Sequence, residues 1–104
     1  MRITLTVISG PHKGKIFTFD RPDTFLVGRS RHAHFRLRSK DKYFSRIHFM
    51  VEVNSPECRI VDMSSHNGIY VNGTKILSAD LHDGDKIRAG HTTFELSVHA
   101  NDDI

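Results

Sequence analysis

Three short stretches of the 104-residue chain group small, basic and polar residues between apolar runs. They are Gly28-Arg29-Ser30-Arg31, Ser45-Arg46-Ile47-His48 and Ser64-Ser65-His66-Asn67-Gly68. Arginine supplies a planar fork of donors, serine a hydroxyl, His66 an imidazole and Asn67 an amide. Such a set suits a dianionic phosphate, whose three acceptor oxygens take charge-assisted hydrogen bonds. The charge distribution agrees. Between Arg29 and Arg46, seven basic residues (Arg29, Arg31, Arg36, Arg38, Lys40, Lys42 and Arg46) oppose Asp41 alone. That stretch carries +6 and the remaining 86 residues −3, within a net charge of +3. A one-sided patch on a near-neutral body points to an anionic partner.

Other chemistries fit less well. A nucleic-acid backbone also presents phosphates, but the basic stretch offers only Phe35, Tyr43 and Phe44 for base stacking, so nucleic acid is the remote alternative. The pair His32-x-His34 invites a metal, yet no third ligand follows at helpful spacing. A nucleophile elbow, a Walker loop and an HExxH helix are all missing, and Ser45, His48 and Asp62 make no better a triad than chance would supply. The chain is expected to be neither an enzyme nor a holder of metal or cofactor. Cys58 is the single cysteine, so no internal disulfide can form and a reducing, cytoplasmic setting fits, or a nuclear one in a eukaryote. Apolar runs are too short to cross a membrane as a helix, and the alternating N-terminus is not a secretory signal.

The elements that must position these loops follow a period of two, with no convincing helical stripe. Ile3, Leu5 and Val7 alternate with polar neighbours. The Gly10-Pro11-His12-Lys13-Gly14 cluster turns the chain into a strand over Lys15 to Asp20, which Arg21-Pro22-Asp23 breaks. Strands follow at Thr24 to Val27 and near His34 to Leu37. Ile47, Phe49, Val51 and Val53 mark the clearest half-buried strand, returning through Asn54-Ser55-Pro56 into Glu57 to Met63. Asn72-Gly73 is a tight-hairpin signal between Ile69-Tyr70-Val71 and Lys75-Ile76-Leu77, because both turn residues accept positive φ. Asp83-Gly84 leads into Asp85 to Ala89, and Thr92 to Val98 comes last. Ten or so short strands with regular turns make an antiparallel sandwich or barrel. Residues 1–100 read as one domain, and 101–104 as a polar tail where a linker to further domains would begin. In a sandwich, alternate connections gather at one end, so the loops after strands three, four and six should meet.

The ordered set Gly28-Arg29, Ser45-Arg46-x-His48, Asn67-Gly68 and Val71-Asn72-Gly73 resembles the forkhead-associated (FHA) domain. The opening Gly10-Pro11 to Gly14 hairpin and Leu81-x-x-Gly84-Asp85-x-Ile87 extend the likeness over about residues 3 to 98. Each motif alone is weak; four in order at family spacing are strong. The resemblance implies an all-β sandwich of about eleven short strands, with ligand loops at one end that bind phosphothreonine peptides without turnover. The implied partner is a phosphothreonine-containing protein or peptide, such as an autophosphorylated Ser/Thr kinase. A module of the same fold that binds partners or self-associates without phosphate is the alternative.

By that resemblance, Arg29 grips the phosphate, Ser45 donates its hydroxyl to it, Arg46 also reaches it, and Asn67 bonds the main chain of the bound peptide. Ser30, Arg31, Tyr43 and Ser65 are secondary contacts. Tyr43, flanked by Lys40 and Lys42, stands where some members choose the third residue after the phosphothreonine, which implies an acidic or mixed preference there. His48 props the loops from behind, and alternation puts its ring on the face opposite Ile47, Phe49 and Val51. Gly28, Gly68, Asn72 and Gly73 meet backbone requirements, with Asn72 also placed to buttress a neighbouring loop. Two positions depart from the pattern. His66 replaces the usual Thr or Ser, so an imidazole must supply that hydrogen bond, and affinity should rise as its protonation adds charge, until the phosphate takes its own second proton near about pH 6. His34 stands where aspartate is common, which concerns the fourth strand and not the phosphate.

Overall fold

A computed structural model describes residues 1–38 and 43–99. Lys40, Asp41 and Lys42, and the boundary at residue 100 with the tail beyond it, lie outside the described residues. Eleven strands form two sheets. One has six strands: β2 (Ile16–Phe19), β1 (Arg2–Ser9), β11 (Thr92–His99), β10 (Lys86–Ala89), β7 (Ile69–Val71) and β8 (Thr74–Ile76), in that spatial order. The other has five: β4 (Phe35–Arg36), β3 (Asp23–Gly28), β5 (Phe49–Asn54), β6 (Glu57–Asp62) and β9 (Ser78–Asp80). The alternation in the sequence becomes alternation of burial, with Ile3, Leu5 and Val7 of β1 and Phe49, Val51 and Val53 of β5 turned into the core.

All seven phenylalanines join one network between the sheets. Phe17 stacks on Phe35 at 5.2 Å and Phe19 on Phe25 at 4.2 Å, coupling β2 to the opposite sheet. Phe94 of β11 meets Phe49 edge-on at 5.5 Å and also touches Phe35 and Phe44. Burying a ring of this size contributes about 1.5–3 kcal/mol by transfer alone, so this cluster outweighs any surface ion pair in the domain.

Three details differ from the sequence reading. The segment Lys75-Ile76-Leu77 is divided: β8 ends at Ile76, Leu77 turns the chain, and β9 joins the second sheet, which is why Leu77 is exposed. One pair is parallel, because the loop after β3 doubles back so that Phe35 lies beside Val27 and Arg36 beside Gly28. The strand expected from Ile47 begins at Phe49. His48 therefore escapes the alternation and is wholly buried, next to the equally buried Phe49, instead of facing away from it.

Candidate anion-binding site

The loops after β3, β4 and β6 meet at one end of the sandwich and are tied by hydrogen bonds. Arg29 N–H donates to Ser45 O at 3.2 Å and Ser30 N–H to Arg46 O at 2.9 Å, which zips the first loop to the second. That approach requires Gly28. A Cβ there would lie 2.0 Å from Arg46 O and 2.8 Å from Ile47 Cα, both backbone atoms that cannot swing aside.

His48 ties the second loop to the third. Its Nδ1 accepts from Ser45 N–H at 3.0 Å and its Nε2 bonds Gly68 O at 2.8 Å, so the neutral Nε2–H tautomer satisfies both contacts. The ring stacks on buried Phe44 with centroids 4.9 Å apart. Phe44 thus anchors the second loop in the core, and the imidazole carries that order outward. Gly68, at φ +74°, makes the left-handed turn that brings its carbonyl to His48.

This scaffold carries the candidate donors. Arg29 is half-buried, and its Nε is buried with no protein acceptor. Ser45 Oγ accepts a long 3.4 Å bond from His66 N–H, which leaves its own proton to give. Arg46, His66 and Asn67 are exposed around it. Asn67 Nδ2 donates to Tyr43 O at 3.0 Å, tying the third loop to the second a further time. Arg29, Ser30 and Arg46, with Arg36 and Arg38 from β4 and its edge, line an open cleft of about 300 Å³. A buried donor without an acceptor is rare in folded proteins, and Arg29 Nε is one of two such side-chain atoms among the described residues, with His12 Nε2.

The remaining sequence candidates are placed differently. Ser30 Oγ accepts from His32 N–H at 3.0 Å and stabilises its own turn, while Arg31 is exposed beside it. Ser65 turns toward Asp62, giving its hydroxyl to Oδ1 at 2.6 Å. Asn72 and Gly73 close the β7–β8 hairpin at the end of β7 away from these loops. The Asn72 amide bonds Asp85 Oδ1 and the Lys86 N–H, so it buttresses the turn before β10, and among the described residues it makes no hydrogen bond to the three loops. His34 Nδ1 accepts from Leu26 N–H at 2.9 Å, fixing β3 to the returning loop.

Some contributors were not singled out beforehand. Arg36 and Arg38 were visible only as charge, although Phe35-Arg36-Leu37-Arg38 alternates and so places both guanidiniums on one face. His91 packs its ring 4.6 Å from Tyr43. Together with Asn67, Tyr70 and Arg88 these two rings line a second groove of about 220 Å³, in which the Arg88 guanidinium lies 4.1 Å over Tyr70. Nothing in the local sequence links position 91 to position 43.

A cavity of about 580 Å³, larger than either groove at the loops, lies at the opposite end among Met1, Pro56, Cys58, Leu81, His82 and Val98. Its walls are mainly apolar and gather no set of convergent donors, so size does not identify the site here. Burial pushes the Cys58 thiol up to about 11, which keeps it protonated and unreactive at neutral pH. Among the described residues no helix is long and apolar enough to cross a membrane.

Comparison with known proteins agrees with this architecture. The FHA domain family matches residues 25–90. The glycogen accumulation regulator GarA of Mycolicibacterium smegmatis is 35% identical over 86 residues, covering 83% of this chain and 52% of that protein. The chain thus spans about half the length of that curated relative. A solved structure from a structural and functional analysis of phosphothreonine-dependent FHA domain interactions superposes with TM-score 0.85 at 29% identity, covering 96% of this chain and 99% of the other. The crystal structure of the FhaA FHA domain, complexed with another protein's intracellular domain, gives TM-score 0.79 at 30% identity over 90% of this chain and 98% of that one.

Proposed function

The chain belongs to the FHA domain family, and from that premise we propose that its three loops bind a phosphothreonine-bearing segment of another protein without chemical turnover. The observation that carries this reading is the buried, unpartnered Arg29 Nε in a cleft lined by arginines, on a loop whose backbone is hydrogen-bonded to that of Ser45. The Arg29 fork takes two phosphate oxygens, the Ser45 hydroxyl donates to a third, and the Arg46 guanidinium adds charge from the rim. His66, exposed and hydrogen-bonded through its backbone N–H to Ser45 Oγ, offers its imidazole as a further donor.

Binding needs little reorganisation. The loops are already joined through Ser45 O, Arg46 O and Gly68 O, so the ordering cost that weakens recognition by mobile loops falls largely on the peptide. The Asn67 amide exchanges its bond to Tyr43 O for the peptide main chain, or keeps it and accepts through its carbonyl. Preference for threonine over serine rests on one methyl group, about 1 kcal/mol when it is buried. The partner we propose is a Ser/Thr kinase carrying phosphothreonine, or a product of such a kinase, in the cytoplasm.

Calorimetric titration with a degenerate phosphothreonine peptide pool, beside its unphosphorylated and phosphoserine counterparts, tests the reading. Micromolar binding of the phosphothreonine pool alone, abolished by Arg29→Ala, is expected. Equal binding of the unphosphorylated pool would refute it.

A further inference from the structure

The cleft holds more charge than one phosphate offsets. Four arginines line it: Arg29, Arg36, Arg38 and Arg46. Burial alternates along the β4 edge, with Phe35 and Leu37 in the core and Arg36 and Arg38 exposed on the outer face. The parallel register pairs Gly28 with Arg36, and Leu37 N–H donates to Gly28 O at 2.9 Å, which fixes that outer face beside the Arg29 loop. Arg36 Nε donates to Arg29 O at 3.2 Å and leaves its terminal nitrogens for another acceptor.

None of the four has a carboxylate partner among the described residues, whose ion pairs are Arg21–Asp23, His82–Asp85 and Lys86–Glu95. A guanidinium cannot shed its proton at any physiological pH, so the cluster has no internal way to reduce its charge. A phosphomonoester brings about −1.5 to −2, roughly half of what the four cations present. Resting on the phosphothreonine reading of the loops, we propose that Arg36 and Arg38 form a second anion subsite beside Arg29 and Arg46. The preferred ligand then carries two anionic groups in one segment: the phosphothreonine and a second phosphorylated or carboxylate side chain.

Arginines on β4 would also deter edge-to-edge pairing of an exposed strand. That role explains charge on the edge but does not require convergence on the cleft of Arg29, and the two accounts predict different binding. The experiment is a fluorescence-anisotropy titration of the full chain with labelled 13-residue peptides in an Ala/Ser background. One carries a single central phosphothreonine. The others add a second phosphothreonine, or an aspartate, at each position from four before to four after it. Arg36→Gln, Arg38→Gln and the double variant are titrated in parallel, with thermal melts to verify folding. Arg38→Gln removes a side chain with no hydrogen bond among the described residues, so it serves even if Arg36→Gln unfolds.

At one spacing or more, the second phosphate should tighten binding at least about tenfold and aspartate about threefold. The variants should lose that gain, so that each binds the doubly anionic and the singly phosphorylated peptides within about twofold of one another. A gain at no spacing, or a gain that survives in the double variant, overturns the proposal. So does competition by random-sequence duplex DNA at equal phosphate concentration, which would mark a polyanion surface. Failure of the folded wild-type chain to bind even the single phosphothreonine peptide would instead overturn the reading on which the proposal rests.

Discussion

Replacing His48 by phenylalanine separates the two roles of this buried ring. Phe keeps the aromatic stack on Phe44 and the edge contact with Phe49, whose centroids lie 4.9 and 6.4 Å from the imidazole. It removes the acceptor of Ser45 N–H and the partner of Gly68 O, at 3.0 and 2.8 Å. The Ser45 bond is only partly buried and can be regained from water, so its loss costs about 1 kcal/mol. The Gly68 carbonyl is bonded in the interior, and stranding it costs about 1–3 kcal/mol. The sum is about 2–4 kcal/mol, or a fall in Tm of about 10–25 °C for a domain of this size. A domain of ordinary stability, about 5–15 kcal/mol, remains folded at 20 °C, so binding can be measured there. Because the imidazole is the bridge between the Ser45 and Asn67 loops, affinity for a phosphothreonine peptide should fall about tenfold or more in the same variant. Thermal melting by circular dichroism and anisotropy titration read the two effects. A variant that melts within about 3 °C of wild type and binds with unchanged affinity would refute the account of His48 as the tie between loops.

The glycines give two contrasting predictions. Gly28→Ala forces the Arg46 backbone outward and strains both bonds between the first two loops, so it should lower stability by about 2–4 kcal/mol and weaken phosphopeptide binding, as melts and titrations would report. Gly73→Ala meets no atom within 4 Å but must hold φ +85°, so it should cost about 1–2 kcal/mol in the melt and leave peptide affinity unchanged. Cys58 should react with iodoacetamide at pH 8 far more slowly in the native protein than in guanidinium, as mass spectrometry would follow. Its sign in pH-dependent unfolding is also fixed. The unfolded thiol ionises from about 9 and the folded one only near 11, so stability should fall between those values as pH rises, by denaturant titration at each pH.

Strand positions were legible where burial is one-sided. β1, β5 and β11 obey the period of two because each faces the opposing sheet on one side and solvent on the other. The reading failed where the chain changes sheets. Leu77 looks like the end of a strand by composition, yet it is the corner between β8 and β9, and its exposed side chain follows from tertiary geometry that no local window contains. Alternation alone puts His48 on the wrong face because β5 starts one residue after it. The three loops, by contrast, could be named from residue type, since arginine, serine and asparagine between strands have few structural reasons to cluster. Their mutual bonds could not. The Gly28 contact with Arg46 O and the His91 ring on Tyr43 join positions 18 and 48 residues apart.

The pairing of β1 with β11 has a consequence for how this domain can be carried. Arg2 lies opposite His99, so both ends of the described strands leave at the pole away from the arginine cleft. A polypeptide fused at either end must first run alongside the eight residues of β1 before it reaches the loops. A covalently attached ligand therefore needs a tether of at least about eight extended residues, about 26 Å at the usual rise per residue, before it can compete at the cleft. Shorter attachments leave the module open to ligands arriving from other molecules, and longer ones convert it into a device whose occupancy depends on effective concentration within its own chain.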